Sequence, residues 1–204
     1  MKKEISSGVV RSPAHDGEGN RLDEKKRRII KASKTVFLKY GYRRVTMNDL
    51  AQAAGMSRPA LYLAFPRKED VFCGVVQEMA REVSEEVSRE LKSVSSPIEK
   101  LKLVCEIWMV RPFDWVNESP EAREIYESSH EFAGDAVNES MLSFERDLAS
   151  VIKLFPKGTL PKDITAAHAA RLLAGSIMGI KKLCKSSDQV RKEIHALIAL
   201  AIRI

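Results

Sequence analysis

The chain has 204 residues, 44% of them hydrophobic, with 34 Lys and Arg against 28 Asp and Glu and a formal net charge of +6. That length and apolar fraction support one or two globular units with a sizeable core and exclude a chain too polar to fold. No run of about 18 apolar residues marks a membrane span and no apolar leader opens the chain, so a cytoplasmic protein with no membrane partner is expected.

Cys73, Cys105 and Cys184 are odd in number and far apart, which suggests neither a disulfide framework nor a Cys-rich metal site. The charge is uneven: residues 1–68 hold 16 Lys and Arg against 6 Asp and Glu, and the remainder is acidic. An end so charged is drawn to a polyanion such as a nucleic-acid backbone, while the acidic remainder is held away from it.

Residues 1–22 mix Ser, Gly, Pro and charge without periodicity and read as a flexible tail, in which Lys2, Lys3 and Arg11 offer at most loose backbone contacts. From Asp23 to Tyr40 the apolar positions Ile29, Ala32, Val36, Phe37 and Tyr40 recur at three and four, acids open the segment and Gly41 closes it, which predicts an amphipathic helix. The basic run Lys25-Lys26-Arg27-Arg28 lies on that helix, and a loop of Tyr42, Arg43, Arg44 and Val45 follows.

Thr46-Met47-Asn48-Asp49 then fits a capping box and starts a short second helix. Gly55 can turn the chain in the left-handed region, Ser57 caps a third helix, and Pro59 falls in its first turn, where a missing N–H costs nothing. Leu50, Ala54, Met56, Leu61 and Phe65 close a small core, which leaves Arg58 and Tyr62, four apart, to face outward. Two short helices joined by such a turn form a helix-turn-helix, and DNA is the first partner it suggests.

After Pro66 a long helix runs to about Leu91 on Val71, Phe72, Val75, Val76, Met79, Val83 and Val87. Ser95-Ser96-Pro97 starts the next, with Ile98, Leu101, Val104, Cys105 and Trp108 on its apolar face, and Pro112 is expected to end it. Phe113 to Ser119 reads as a loop, and Pro120 opens a short helix to about Ser129. Phe132, Val137, Met141, Phe144, Leu148, Val151 and Ile152 mark a longer one, and Phe155-Pro156-Lys157-Gly158 is a turn. Two last helices run over roughly Asp163 to Cys184 and Ser187 to Arg203. Nothing reads as a strand, so the expectation is an all-α fold of about nine helices.

At Val45-Thr46-Met47-Asn48-Asp49-Leu50-Ala51 and on through Leu61-Tyr62-Leu63-Ala64-Phe65-Pro66-Arg67-Lys68-Glu69, the chain resembles the TetR/AcrR family of bacterial transcriptional regulators. The resemblance covers about residues 25–72 and joins the helix ending in Tyr-Gly, the Thr-capped second helix, Gly-Met-Ser, the Leu-Tyr pair and the Phe-Pro-x-Lys-Glu exit. Beyond the tail at 1–22, it implies a DNA-binding domain at 23–68 and a ligand-binding and dimerisation domain at 69–204. It also implies a homodimer on a palindromic double-stranded operator, its recognition helices about 34 Å apart, with repression relieved by a small-molecule effector.

On this resemblance Thr46 and Lys68 hold phosphates, Tyr62 meets the backbone, and Ser57, Arg58, Pro59 and Ala60 face base edges, with Arg58 the reader of guanine. Arg43 and Arg44, in the loop before the second helix, complete the expected DNA-binding set. Ala64 stands where many members place His or another larger residue beside the DNA, and the contact made from that position is not carried over.

Dimerisation in the family uses the last two long helices. Here Leu172, Gly175, Ile177 and Gly179 on one, and Leu197, Leu200 and Ala201 on the other, are the expected interface, although small residues four apart equally suit a crossing within one chain. Trp108, Phe113, Trp115, Tyr126, Phe132, Met141 and Met178 are the candidate lining of an apolar ligand pocket; the same residues at helical spacing also read as plain core.

His130, His168 and His195 lack the spacing of a metal site, and no metal or cofactor is expected. Cys105 beside Val104 reads as a buried inert thiol in preference to an oxidant sensor. No phosphate loop, dinucleotide fingerprint, nucleophile elbow or His-Glu-x-x-His motif is present, which argues against an enzyme. The alternative is a helical interaction protein, or a regulator without small-molecule control, whose basic end binds DNA without regard to sequence.

Overall fold

The computed structural model describes residues 14–202, the side chains of residues 14–21 apart. Ten α-helices carry the fold: α1 (Ala14–Tyr40), α2 (Met47–Ala53), α3 (Arg58–Ala64), α4 (Lys68–Glu90), α5 (Pro97–Cys105), α6 (Arg111–Glu118), α7 (Pro120–Phe132), α8 (Gly134–Ile152), α9 (Ala166–Leu183) and α10 (Ser187–Ala201). A π-turn over Glu106–Val110 joins α5 to α6, so that nine helical rods result among the described residues, and no strand occurs there. No helix of the described residues is long and apolar enough to cross a membrane.

Two expectations are corrected. α1 opens at Ala14 instead of Asp23, because Gly17 and Gly19 weaken a helix without ending it; the rest of the expected tail, with Lys2, Lys3 and Arg11, lies outside the described residues. Pro112 does not end the α5 rod, and Phe113 to Ser119 is not a loop. In an α-turn the Pro112 ring would clash with the carbonyl four residues back, but here the helix is widened just before it, with the Arg111 N–H donating to the Glu106 carbonyl. Pro112 then occupies the first turn of α6, where its missing N–H is harmless.

The long helix α4 spans two apolar clusters. Its first half, through Val71, Phe72 and Val75, packs with Ile29 and Phe37 of α1 and Leu50, Ala51 and Leu61 of the short helices. Gly74 lets α1 approach closely, since a Cβ there would sit 2.8 Å from Ile30 Cδ1. Its second half, through Ala80 and Val87, joins Leu101, Trp108, Phe144, Leu148, Ala170, Ile177 and Ile194 in a larger core. α4 therefore runs as one rigid rod from the basic end to the centre of the remaining helices.

Charged side chains tie the rods at their edges. Arg111 bridges α6 to Glu86 and Glu90 of α4, and the Arg191 guanidinium of α10 makes two 2.9 Å bonds to the Glu106 carboxylate in the π-turn. Trp108 donates its indole N–H to Asp147 at 2.8 Å, and Ser84 donates to the same carboxylate oxygen at 3.0 Å, so this buried indole nitrogen is satisfied across three elements.

Candidate nucleic-acid interface

The helix-turn-helix is held by its own caps. The Thr46 hydroxyl accepts the Asp49 N–H at 3.3 Å, while Asp49 Oδ2 accepts from the Thr46 N–H at 2.8 Å and from its hydroxyl at 2.7 Å. These bonds draw the Asp49 carboxyl below its ordinary pKa. Gly55 turns with φ +65°, and Ser57 accepts the Ala60 N–H at the start of α3. The capping box, turn and second cap stand where the spacing places them.

α3 has two faces of different character. Leu61 is fully buried against Leu50 and Ala51, and Phe65 follows it into the core. Ser57, Arg58, Pro59 and Tyr62 are exposed and Ala60 is half-buried. Arg58 Nη2 donates to the Tyr62 hydroxyl at 3.3 Å and the guanidinium lies 5.5 Å from the ring centroid, so the two side chains form one exposed pair on the outer face. A guanidinium and a phenol hydroxyl held there supply donors suited to a guanine edge and a phosphate.

The surrounding cations divide by what they touch. Lys68, half-buried, donates to the carbonyls of Tyr42 and Val45, each at 3.1 Å, and stands 4.1 Å from the Tyr42 ring centroid. Its ammonium thus pins the α1–α2 loop and keeps one N–H for another partner. The Arg43 N–H donates to Glu124 at 2.6 Å and its guanidinium is 3.8 Å from Glu131, so acids of α7 share that charge. Arg44 and Thr46 are exposed beside α2.

Two features of this surface go beyond the roles read from the sequence. Lys25 reaches from α1 to donate to the Ala60 carbonyl at 3.4 Å, a contact across 35 residues that the basic run alone does not signal. Leu63 is 87% exposed and lies four residues beyond Pro59, which places it on the outer face of α3; helical counting would have found it.

Of the seven candidate pocket residues, the structure brings five to one cavity of about 200 Å³: Trp108, Trp115, Tyr126, Met141 and Met178. Val76, Met79 and Val83 of α4 form another wall, and Lys181 of α9 is the charged residue in the lining. Phe113 lines an adjoining cavity of about 170 Å³ that shares Tyr126, Met178 and Lys181 with the first. Phe132 goes elsewhere: its ring packs with the N-terminal core, stacked on Tyr42, because α7 ends under the α1–α2 loop. Sequence reading missed Lys181, since a Lys in the last turn of a helix ordinarily complements the helix dipole.

The expected dimer residues also separate. Leu172, Gly175 and Gly179 lie along the outer face of α9, and a Cβ at either glycine would meet nothing within 4 Å. Leu200, 83% exposed, and Ala201 extend an apolar strip on α10, with Leu197 half-buried beside them. Ile177 is fully buried in the core of its own chain, because helical rotation turns it inward, and it does not reach that face.

Cys105 is buried and its thiol is pushed up to about 12 by desolvation, consistent with an inert side chain. No group of His, Cys, Asp and Glu able to hold a metal ion occurs among the described residues.

With this geometry in view, residues 29–73 match the family model of the bacterial regulatory proteins of the tetR family. The chain is 25% identical to the transcriptional activator FasR of Mycolicibacterium smegmatis, over 85% of this chain and 77% of that protein. It is 33% identical to the transcriptional repressor Rv1474c of Mycobacterium tuberculosis, over 34% of this chain and 37% of the repressor. In fold it is similar to FadR of Thermus thermophilus, a TetR-family repressor solved in complex with lauroyl-CoA, at 19% identity and a TM-score of 0.62 over 88% of this chain and 95% of the other.

These relatives are transcriptional regulators and not enzymes, and their shared DNA-binding segment is the one whose caps, core and exposed pair are described above. Residues 29–73 carry the segment that defines the bacterial regulatory proteins of the tetR family, and the chain is similar over most of its length to a transcriptional regulator.

Proposed function

We propose that the protein is a homodimeric repressor that occupies a palindromic operator and is released from it by a small, largely apolar ligand. Residues 23–68 are the DNA-binding unit in this reading and residues 69–204 the ligand-binding and dimerisation unit, working in the cytoplasm. The observation that carries it is the division of α3 between a buried face led by Leu61 and an exposed face bearing Arg58 and Tyr62.

The apolar strip of Leu172, Gly175, Gly179, Leu200 and Ala201 supports pairing of two copies through α9 and α10. A two-fold axis there sets two α3 helices on one side of the dimer, and the half-site spacing follows from their separation.

Ligand control is supported by the elements that wall the cavity. α4 contributes Val76, Met79 and Val83 to it and begins at Lys68, beside the DNA-binding surface. α7 contributes Ile125 and Tyr126 and also carries Glu124 and Phe132 to the α1–α2 loop. A ligand that fits better when α4 and α7 have shifted favours the dimer whose recognition helices are mis-spaced for the operator. Among proteins of this fold, the Thermus thermophilus FadR holds lauroyl-CoA.

Selection of bound fragments from a genomic duplex library at near-physiological salt tests the reading. A two-fold palindrome is expected, together with higher transcription from an adjoining reporter when the protein is absent. Lower transcription in its absence would make it an activator, as FasR is named. Binding that ignores sequence and falls steeply with salt would replace the reading with that of an interaction protein carrying a basic end.

A further inference from the structure

The cavity under α4 is lined mostly by apolar side chains, and its polar ones are Ser129, His130, Ser140 and Lys181. Lys181 enters its wall from the last turn of α9, where the main cavity and the smaller one beside Phe113 meet. Its ammonium is half-buried and lies 5.5 Å from the Tyr126 ring centroid, and no carboxylate among the described residues pairs with it. Its neighbour Lys182 is exposed and lines only the smaller cavity.

Two of the other polar groups of the wall are turned to a backbone carbonyl. Ser129 donates its hydroxyl to the Tyr126 carbonyl at 2.7 Å, and His130 places Nδ1 2.9 Å from the same oxygen, so that nitrogen carries the proton. The Asp147 carboxylate lies outside the lining, where the Trp108 indole and the Ser84 hydroxyl take it up. An ammonium held against aromatic and aliphatic walls without a counter-charge is costly, and burial lowers the pKa of Lys181 accordingly. An anion arriving in the cavity removes that cost.

Size narrows the choice further. A dry protein cavity of about 150 Å³ accepts a benzene molecule, and this one is about 200 Å³, with Trp108, Trp115, Tyr126 and flexible methionines as its walls.

Resting on the reading above that this cavity is the effector site, we infer that the effector is a small apolar monocarboxylate, its ring or short chain between α4 and α8 and its carboxylate on the Lys181 ammonium. Specificity then has two parts. The walls select an apolar body, and Lys181 selects an acid over its amide or alcohol.

The test uses the full chain and two matched probe pairs, phenylacetate with phenylacetamide and octanoate with 1-octanol. Binding is followed by fluorescence of Trp108 and Trp115, the two tryptophans of the chain, and independently by thermal shift. In the wild type each acid is expected to bind roughly tenfold or more tightly than its neutral partner, the scale of a partly desolvated charge pair.

Lys181→Met is expected to abolish that preference while keeping the neutral probes bound, Lys181→Arg to retain it, and Lys185→Met, at an exposed residue outside both cavities, to leave it unchanged. Neutral probes binding as tightly as the acids in the wild type would overturn the assignment of charge and leave the cavity as the effector site. Failure of all four probes to bind would overturn both.

Discussion

Phe132, the last residue of α7, lies stacked on Tyr42 of the α1–α2 loop, with ring centroids 4.8 Å apart and an interplanar angle of 23°. Tyr42 in turn is 4.6 Å from the Phe72 ring of α4, donates its hydroxyl to Glu69 at 3.0 Å and takes the Lys68 ammonium on its face. Burial and the Glu69 carboxylate hold the Tyr42 phenol well above its ordinary pKa, so it stays a donor throughout the physiological range. The loop that enters the helix-turn-helix is thereby fixed to both α4 and α7, which also wall the cavity.

Phe132→Leu keeps an apolar side chain and removes the stack, at a cost of about 1 kcal/mol in stability. For a coupling of ordinary size the effector weakens DNA binding about 5- to 150-fold. That ratio is expected to shrink toward one in the variant, while effector-free affinity for the operator is retained. Fluorescence anisotropy with and without effector measures both quantities.

The capping box makes α2 sensitive to acid. Asp49 has a lowered pKa in the folded protein, so its contribution is present above the unfolded value near 3.8 and is lost as pH falls through the folded value. Asp49→Asn is expected to lower the melting temperature at pH 7, and the gap between variant and wild type is expected to close as pH falls below the lowered folded value. Thr46→Ala, which removes the hydroxyl partner, costs about 1 kcal/mol at neutral pH. Thermal unfolding across pH 2 to 7 follows both.

If the outer face of α9 and α10 pairs two copies, a charge at its centre separates them. Leu200→Glu replaces a side chain that is 83% exposed in the single chain, so the fold of each copy is expected to survive. Sedimentation velocity is expected to give a monomer with unchanged far-UV circular dichroism, and operator affinity to fall by orders of magnitude as two-site binding is lost. An unchanged dimer would move the interface elsewhere.

Cys105, buried and with its thiol pushed up to about 12, is expected to resist a thiol reagent at pH 7.5 in the folded protein and to react on unfolding. Cys184, half-buried at the end of α9, provides the comparison within the same chain. Mass spectrometry of alkylated peptides with and without denaturant reads both sites.

What was legible in the sequence was local. Thr46 and Asp49 are three residues apart, Gly55 and Ser57 two, and Arg58 and Tyr62 four, so each relation is fixed by helix geometry that the spacing already contains. The same reasoning failed at Pro112, where a proline signals an end unless the preceding turn widens, and no residue of Glu106–Val110 announces a π-turn.

It also could not separate Phe132 from Tyr126 or Ile177 from Gly179. Which face of a helix meets a core, a cavity or a second copy depends on rods brought together from distant parts of the chain. The bond from Arg43 to Glu124, across 81 residues, is of that kind.

The exposed pair on α3 carries the central claim, that this helix reads DNA sequence. With a selected operator and a scrambled duplex of equal length, anisotropy titrations of the wild type and Arg58→Ala at fixed salt measure it most directly. The account predicts that the variant loses about 1–3 kcal/mol per half-site on the operator, the scale of one bidentate guanine contact, with unchanged affinity for the scrambled duplex. Equal loss on both duplexes, or no loss on either, would contradict it.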